Sequence, residues 1–165
     1  MRTAIIFSGN TGTTELVANM LSKKLNHGYD IFDTSKRFFI DFDEYDNFVL
    51  GTNIRYGKLN KRFKRLYTKM KQYTTDKQNY FVYICGAEKS KAEEYIADAR
   101  SIVDTICDYY FVGGEVKIKD MKGIAKVLAN SYMKAYKAKY ENNPEIIYEN
   151  IDKLADCLND MENEE

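Results

Sequence analysis

The chain has 165 residues, 44% of them hydrophobic, enough to fill one core of ordinary domain size. Acidic and basic residues number 25 each, so no net charge draws the chain toward nucleic acid, and no nucleic-acid partner is expected. The three cysteines are widely spaced and His27 is the only histidine, which excludes a structural zinc cluster; no metal site is expected.

In chain order, Thr3 to Phe7 is a continuous apolar run, as expected of a strand buried on both faces. It is too short for a secretory leader, and no run approaches the ~20 residues needed to span a bilayer. With an odd count of scattered cysteines, this predicts a cytoplasmic protein without a transmembrane segment and leaves peripheral membrane contact open. Thr14 to Asn26 carries Leu16, Val17, Met20, Leu21 and Leu25 at helical spacing. Tyr29 to Phe32 and Phe48 to Leu50 read as the second and third strands, the latter ending at Gly51. Leu59 to Tyr73 is predicted helical. Tyr80 to Cys85 is the fourth strand, ending at Gly86. Ala92 to Ile106 is predicted as a helix with Tyr95, Ile96, Ala99, Ile102, Val103 and Ile106 inward. Tyr109 to Val112 is the fifth strand, followed by Gly113 and Gly114. Two helices close the chain, Gly123 to Tyr140 and Pro144 to Met161, with Pro144 in a first helical turn.

Strands separated by helices imply parallel βαβ units. The expected fold is α/β: a doubly wound, five-stranded parallel sheet of order 2-1-3-4-5 in a three-layer sandwich, one domain over residues 1–165. Charge is unevenly spread. Arg55 to Lys77 holds nine Lys or Arg and one acid, Lys117 to Lys139 seven Lys and one acid, and Glu141 to Glu165 nine acids and one base. Each run also fits a solvated helical face.

Ligands of such sheets bind beyond the carboxyl ends of the strands. The loop after the first strand is Ser8-Gly9-Asn10-Thr11-Gly12-Thr13-Thr14, five hydroxyl or amide residues and two glycines leading into a helix. Hydroxyls, backbone N–H groups and a helix N-terminus all favour a phosphate. The loop has neither the lysine of a P-loop nor GxGxxG spacing, which points to a terminal monoester. A Ser- and Thr-rich helix cap is the plainer alternative, though a cap needs one such residue.

The segment from Phe7 to Glu15, FSGNTGTTE, resembles the phosphate loop of flavodoxins, the FMN-binding flavodoxin-like family. The resemblance implies FMN, held by Ser8, Gly9, Asn10, Thr11, Gly12, Thr13 and Thr14 at its phosphate. It implies that the loop after the third strand, Thr52, Asn53, Ile54, Arg55, Tyr56 and Gly57, covers the flavin ring, with Tyr56 as the stacking aromatic. Cys85, Gly86 and Ala87 would meet the ring edge. GTNIRYG, Gly51 to Gly57, is similar to the corresponding segment of menaquinone-dependent protoporphyrinogen dehydrogenases. Those relatives carry a basic insert after the fourth strand, where Gly86 to Lys91 here is short.

The resemblance implies an FMN-dependent oxidoreductase or electron-transfer protein that oxidises protoporphyrinogen or reduces a quinone. The alternative is a flavodoxin-type carrier that exchanges electrons with a redox partner protein and has no small-molecule substrate. Arg55 near a flavin would favour its anionic reduced form. No side chain is assigned as catalytic, because the flavin carries the electrons. A response-regulator receiver shares the strand order, but its acidic positions read here as Phe7-Ser8-Gly9 and Leu50-Gly51.

Overall fold

The computed structural model describes residues 1–9, 12–75, 77–116, 118–140 and 142–163. The apolar runs form parallel strands: β1 (Arg2–Ser8), β2 (Gly28–Asp33), β3 (Asn47–Arg55), β5 (Asn79–Cys85) and β6 (Cys107–Phe111), with a two-residue strand, β4 (Lys58–Leu59), between the third and fourth of them. The order across the sheet is β2-β1-β3-β5-β6, with Ile5 opposite both Ile31 and Val49, and Val49 opposite Phe81. Setting β4 aside, this is the doubly wound order expected from the sequence.

Helices α1 (Thr13–Ser22) and α5 (Tyr148–Asn163) cover one face. Val17, Ala18, Leu21, Ile151, Leu154 and Leu158 pack there on Ile5, Phe7, Val49, Phe81 and Tyr83. Helices α2 (Lys61–Met70) and α3 (Ala92–Arg100) cover the other. There Phe63, Tyr67, Met70, Tyr95 and Ala99 meet Ala4, Ile6, Phe48, Leu50, Val82 and Ile84. Alternate strand residues feed opposite cores, which is why the strands read as unbroken apolar runs. Helix α4 (Gly123–Lys139) buries no residue and joins neither core cluster.

Several boundaries differ from the sequence reading: the first helix ends at Ser22 rather than Asn26, and the second spans Lys61 to Met70, with Leu59 in β4. The third strand runs through Gly51 to Arg55, so much of the expected loop is strand. Helix α3 stops at Arg100, so helical spacing lapses and Ile106, expected inward, is 97% exposed. Pro144 does not open the last helix. Residues 144–147 are extended, with Ile146 bridged to Gly113 and the Ile147 N–H donating to the Val112 carbonyl at 2.9 Å, and the helix starts at Tyr148.

Candidate functional site

The chain leaves β1 into α1 on one face and leaves β3 toward α2 on the other. That divergence opens a crevice at the carboxyl ends of the strands. A cavity of about 530 Å³ lies there. One wall is the end of β3 and its turn, Asn53, Ile54, Arg55, Tyr56 and Gly57. A second is the segment after β5, Cys85, Gly86, Ala87 and Glu88, with Tyr95 behind it. Thr13 of α1 and Gly114, Glu115 and Val116 after β6 close the third side. Met121, just before α4, and Ala125, Leu128, Ala129 and Tyr132 of α4 roof the space.

Arg55 and Lys58 pair antiparallel across a two-residue turn, Tyr56-Gly57, in which both residues have positive φ, 52° and 73°. This is the hairpin turn whose twist matches the strands. Left-handed backbone costs a non-glycine residue ~1–2 kcal/mol. Tyr56 is 74% exposed, and its ring carries the Arg55 guanidinium carbon 5.2 Å from its centroid. Little burial repays the strain, so Tyr56→Asn is expected to stabilise the fold by ~1 kcal/mol and raise Tm by roughly 2–4 °C. Thermal unfolding of the two proteins checks this; a lower Tm would mean that the ring holds the hairpin.

At the entry to α1, Gly12 has a φ of 79° and, among the described residues, no side chain caps the helix. The N–H groups of its first turn therefore have no intrahelical acceptors and are open to an anion. A Cβ on Gly9 would come within 2.7 Å of the Thr14 Cβ, so the loop closes on itself only with glycine there. The buried Thr14 hydroxyl lies against the Cys85 thiol and makes no other hydrogen bond among the described residues. Burial pushes that thiol up to about 12, so it is neutral at ordinary pH. The Tyr83 hydroxyl donates to the Thr14 carbonyl at 2.8 Å, tying the α1 entry to the sheet.

Helix α4 is held over the cavity by a tyrosine ladder at i, i+4 and i+8. Burial and Glu88 push the Tyr132 phenol up. The Tyr136 hydroxyl donates to the Ala87 carbonyl at 3.3 Å, and the Tyr140 hydroxyl lies 2.8 Å from Ser90 Oγ. Glu88 also pairs with Lys91 at 3.4 Å.

Of the residues singled out in the sequence, Thr13, Asn53, Ile54, Arg55, Tyr56, Gly57, Cys85, Gly86 and Ala87 surround one cavity. Ser8, Gly9, Gly12 and Thr14 belong to the α1 entry beside Thr13 and do not line it; Ser8 Oγ donates to the Gly51 carbonyl at 3.4 Å. Thr52 is buried, does not line it, and its hydroxyl has no partner among the described residues. Asn10 and Thr11 lie outside the described residues. The sequence reading missed Tyr95, Gly114 to Val116 and the α4 roof. The four-residue spacing of Tyr132, Tyr136 and Tyr140 was the available sign that this helix faces protein. Among the described residues no helix is long and apolar enough to cross a membrane, and no cluster of His, Cys, Asp and Glu could hold a metal.

Residues 4–143 match the Flavodoxin domain family. No curated protein matches the sequence. Among solved structures, a Lactobacillus acidophilus flavoprotein in complex with FMN is 16% identical, with 66% of this chain and 91% of that chain covered and a TM-score of 0.55. A WrbA-like flavodoxin from Agrobacterium tumefaciens is 13% identical, covering 67% and 76%, with a TM-score of 0.51. A Streptococcus pneumonia TIGR4 flavodoxin is 17% identical, covering 66% and 83%, with a TM-score of 0.50. At these identities the likeness is one of fold.

Proposed function

Because this chain belongs to the Flavodoxin domain family, we propose that it binds FMN non-covalently in the cavity beyond β1, β3 and β5 and serves in electron transfer. The observation that carries this reading is the pairing of an uncapped helix N-terminus and a Thr-rich loop with an adjoining, largely apolar cavity. A phosphate suits the first and a planar ring the second. The α1 entry, from Ser8 to Thr14, would hold the phosphate. Asn53 to Gly57 and Cys85 to Ala87 would flank the ring, with Tyr56 free to move against it. FMN supplies the electron chemistry when bound; the protein positions it and excludes water.

The test is direct. Purified protein is expected to be yellow, and the cofactor released on denaturation to chromatograph as FMN rather than FAD. A colourless protein that takes up no added FMN sinks the reading.

The apolar roof of α4 favours a second, finer reading. Met121, Ala125, Leu128 and Ala129 line the cavity with apolar side chains suited to an apolar substrate, which supports an oxidoreductase acting on protoporphyrinogen or a quinone. Quinone-coupled oxidation of protoporphyrinogen by the FMN-loaded protein checks it. No turnover, with electrons still passing to a protein acceptor, would leave a carrier.

A further inference from the structure

Helix α2 carries a charge pattern that works against its own stability. Lys61 and Arg62 occupy its first turn, where no acid offsets them and the helix end is itself positive. Lys61, Arg65 and Lys69 follow at i, i+4 and i+8, and Lys64 adds a further like charge at i+3 from Lys61. All five are exposed, and none forms an ion pair or hydrogen bond through its side chain among the described residues. Acidic residues elsewhere do find cations: Lys71 pairs with Asp104 just past the helix. The buried side, Phe63, Tyr67 and Met70, would pack equally well beneath a mixed-charge face.

This strip is attached to the cavity wall. The Asn60 N–H donates to the Asn53 carbonyl at 3.0 Å, its Nδ2 donates to Asn53 Oδ1 at 2.9 Å, and its Oδ1 caps α2 by accepting from the Arg62 N–H at 3.0 Å. Asn53 lines the cavity, so the basic face begins where the cavity wall ends.

Resting on the reading of the cavity as a site of electron transfer, we infer that the outward face of α2 is a docking surface for an acidic redox protein. Uncompensated like charges beside a redox site speed and orient the approach of an oppositely charged partner. A second copy of this chain would set lysine against lysine if it met the face with the same face. A bilayer is disfavoured because the outward residues are Lys61, Arg62, Lys64, Arg65, Thr68 and Lys69, with no apolar side chain to insert. Nucleic acid brings phosphates but no redox centre to the cavity mouth. In the transfer, one electron leaves the partner's centre as one enters the flavin, or the reverse.

The probes are an acidic [2Fe–2S] ferredoxin and, as a basic counterpart, cytochrome c. Binding is followed by calorimetry with and without FMN, so that docking is measured apart from cofactor uptake, which the visible spectrum reports. Ferredoxin is expected to bind more tightly than cytochrome c, and its affinity to fall about tenfold or more between roughly 20 and roughly 200 mM salt. Combining Lys61→Gln, Arg62→Gln and Arg65→Gln should weaken ferredoxin about tenfold. FMN affinity should be unchanged, and Tm unchanged or higher as the repulsion is relieved. Tighter binding of cytochrome c, salt-independent ferredoxin binding, or a triple variant that binds like wild type overturns the inference. So does tighter binding to phosphatidylglycerol vesicles or duplex DNA than to ferredoxin. Failure to take up FMN, by contrast, strikes the reading of the cavity itself.

Discussion

Gly51→Ala is expected to cost about 4 kcal/mol of stability, the sum of overpacking and a lost buried hydrogen bond. Gly51 lies inside β3, opposite Phe7 of β1 and Tyr83 of β5. A Cβ there would overlap the Tyr83 ring and hydroxyl. Both strands are fixed by ladders on either side, and Tyr83 is fully buried, so the ring has no free space to enter. Burial holds the phenol well above its usual value, so the hydroxyl remains a donor to the Thr14 carbonyl. Displacing the ring removes that donor and loosens the α1 entry. The expected fall in Tm is on the order of 10 °C for a chain of this size, with weaker FMN binding alongside. Elsewhere in a strand, Gly→Ala gains ~0.5–1 kcal/mol, so the sign of the effect is diagnostic. Tyr83→Phe keeps the ring and loses only the bond, for about 1–2 kcal/mol. In that background Gly51→Ala should cost less, since the bond is already gone. Urea unfolding of the four proteins measures the coupling; a change within ~0.5 kcal/mol for Gly51→Ala would mean that Tyr83 moves freely.

Gly51 also shows where the sequence misleads. A glycine after Phe48-Val49-Leu50 reads as the end of a strand, because glycine usually marks turns. Its reason is tertiary, the ring of a residue 32 positions away along the chain. The same holds for Pro144, whose local preference for a helix start is overridden by the Gly113–Ile146 bridge, and for Ile106, where spacing was extrapolated past the end of α3. By contrast, the strand order and much of the cavity were legible. Buried parallel strands must be apolar on both faces, and a doubly wound sheet places the loops after its strands at one end. The α4 roof was not legible, since its inward residues are mainly alanine, leucine and tyrosine that any packed helix could show. Nothing in their spacing distinguishes a cavity from a core.

The second large effect expected is discrimination at the phosphate. FMN should bind at least about a hundredfold more tightly than riboflavin, which has the same ring and lacks only the phosphate. The first-turn N–H groups of α1, with no side-chain cap among the described residues, and the hydroxyls around them are donors that only an anion would use fully. Charge-assisted hydrogen bonds contribute ~1.5–3 kcal/mol each, so two of them exceed the roughly 2.7 kcal/mol that a hundredfold ratio requires. No lysine or arginine stands between Ser8 and Thr14, so the preference should survive added salt better than one built on exposed cations. Thr13 and Thr14 divide the role. Thr13 Oγ1 is drawn only weakly toward the Glu115 carbonyl, at 3.5 Å, and is free to turn to a phosphate. Thr14 is fully buried, its hydroxyl against the Cys85 thiol. Thr13→Val should therefore weaken FMN by about tenfold and leave riboflavin unchanged, because 1.4 kcal/mol is about a factor of ten. Fluorescence titration of the wild type and variant with both ligands gives the four affinities needed. Equal binding of FMN and riboflavin by the wild type would move the phosphate away from the α1 entry. A variant that lost both ligands equally would mean that Thr13 shapes the cavity rather than holding the anion.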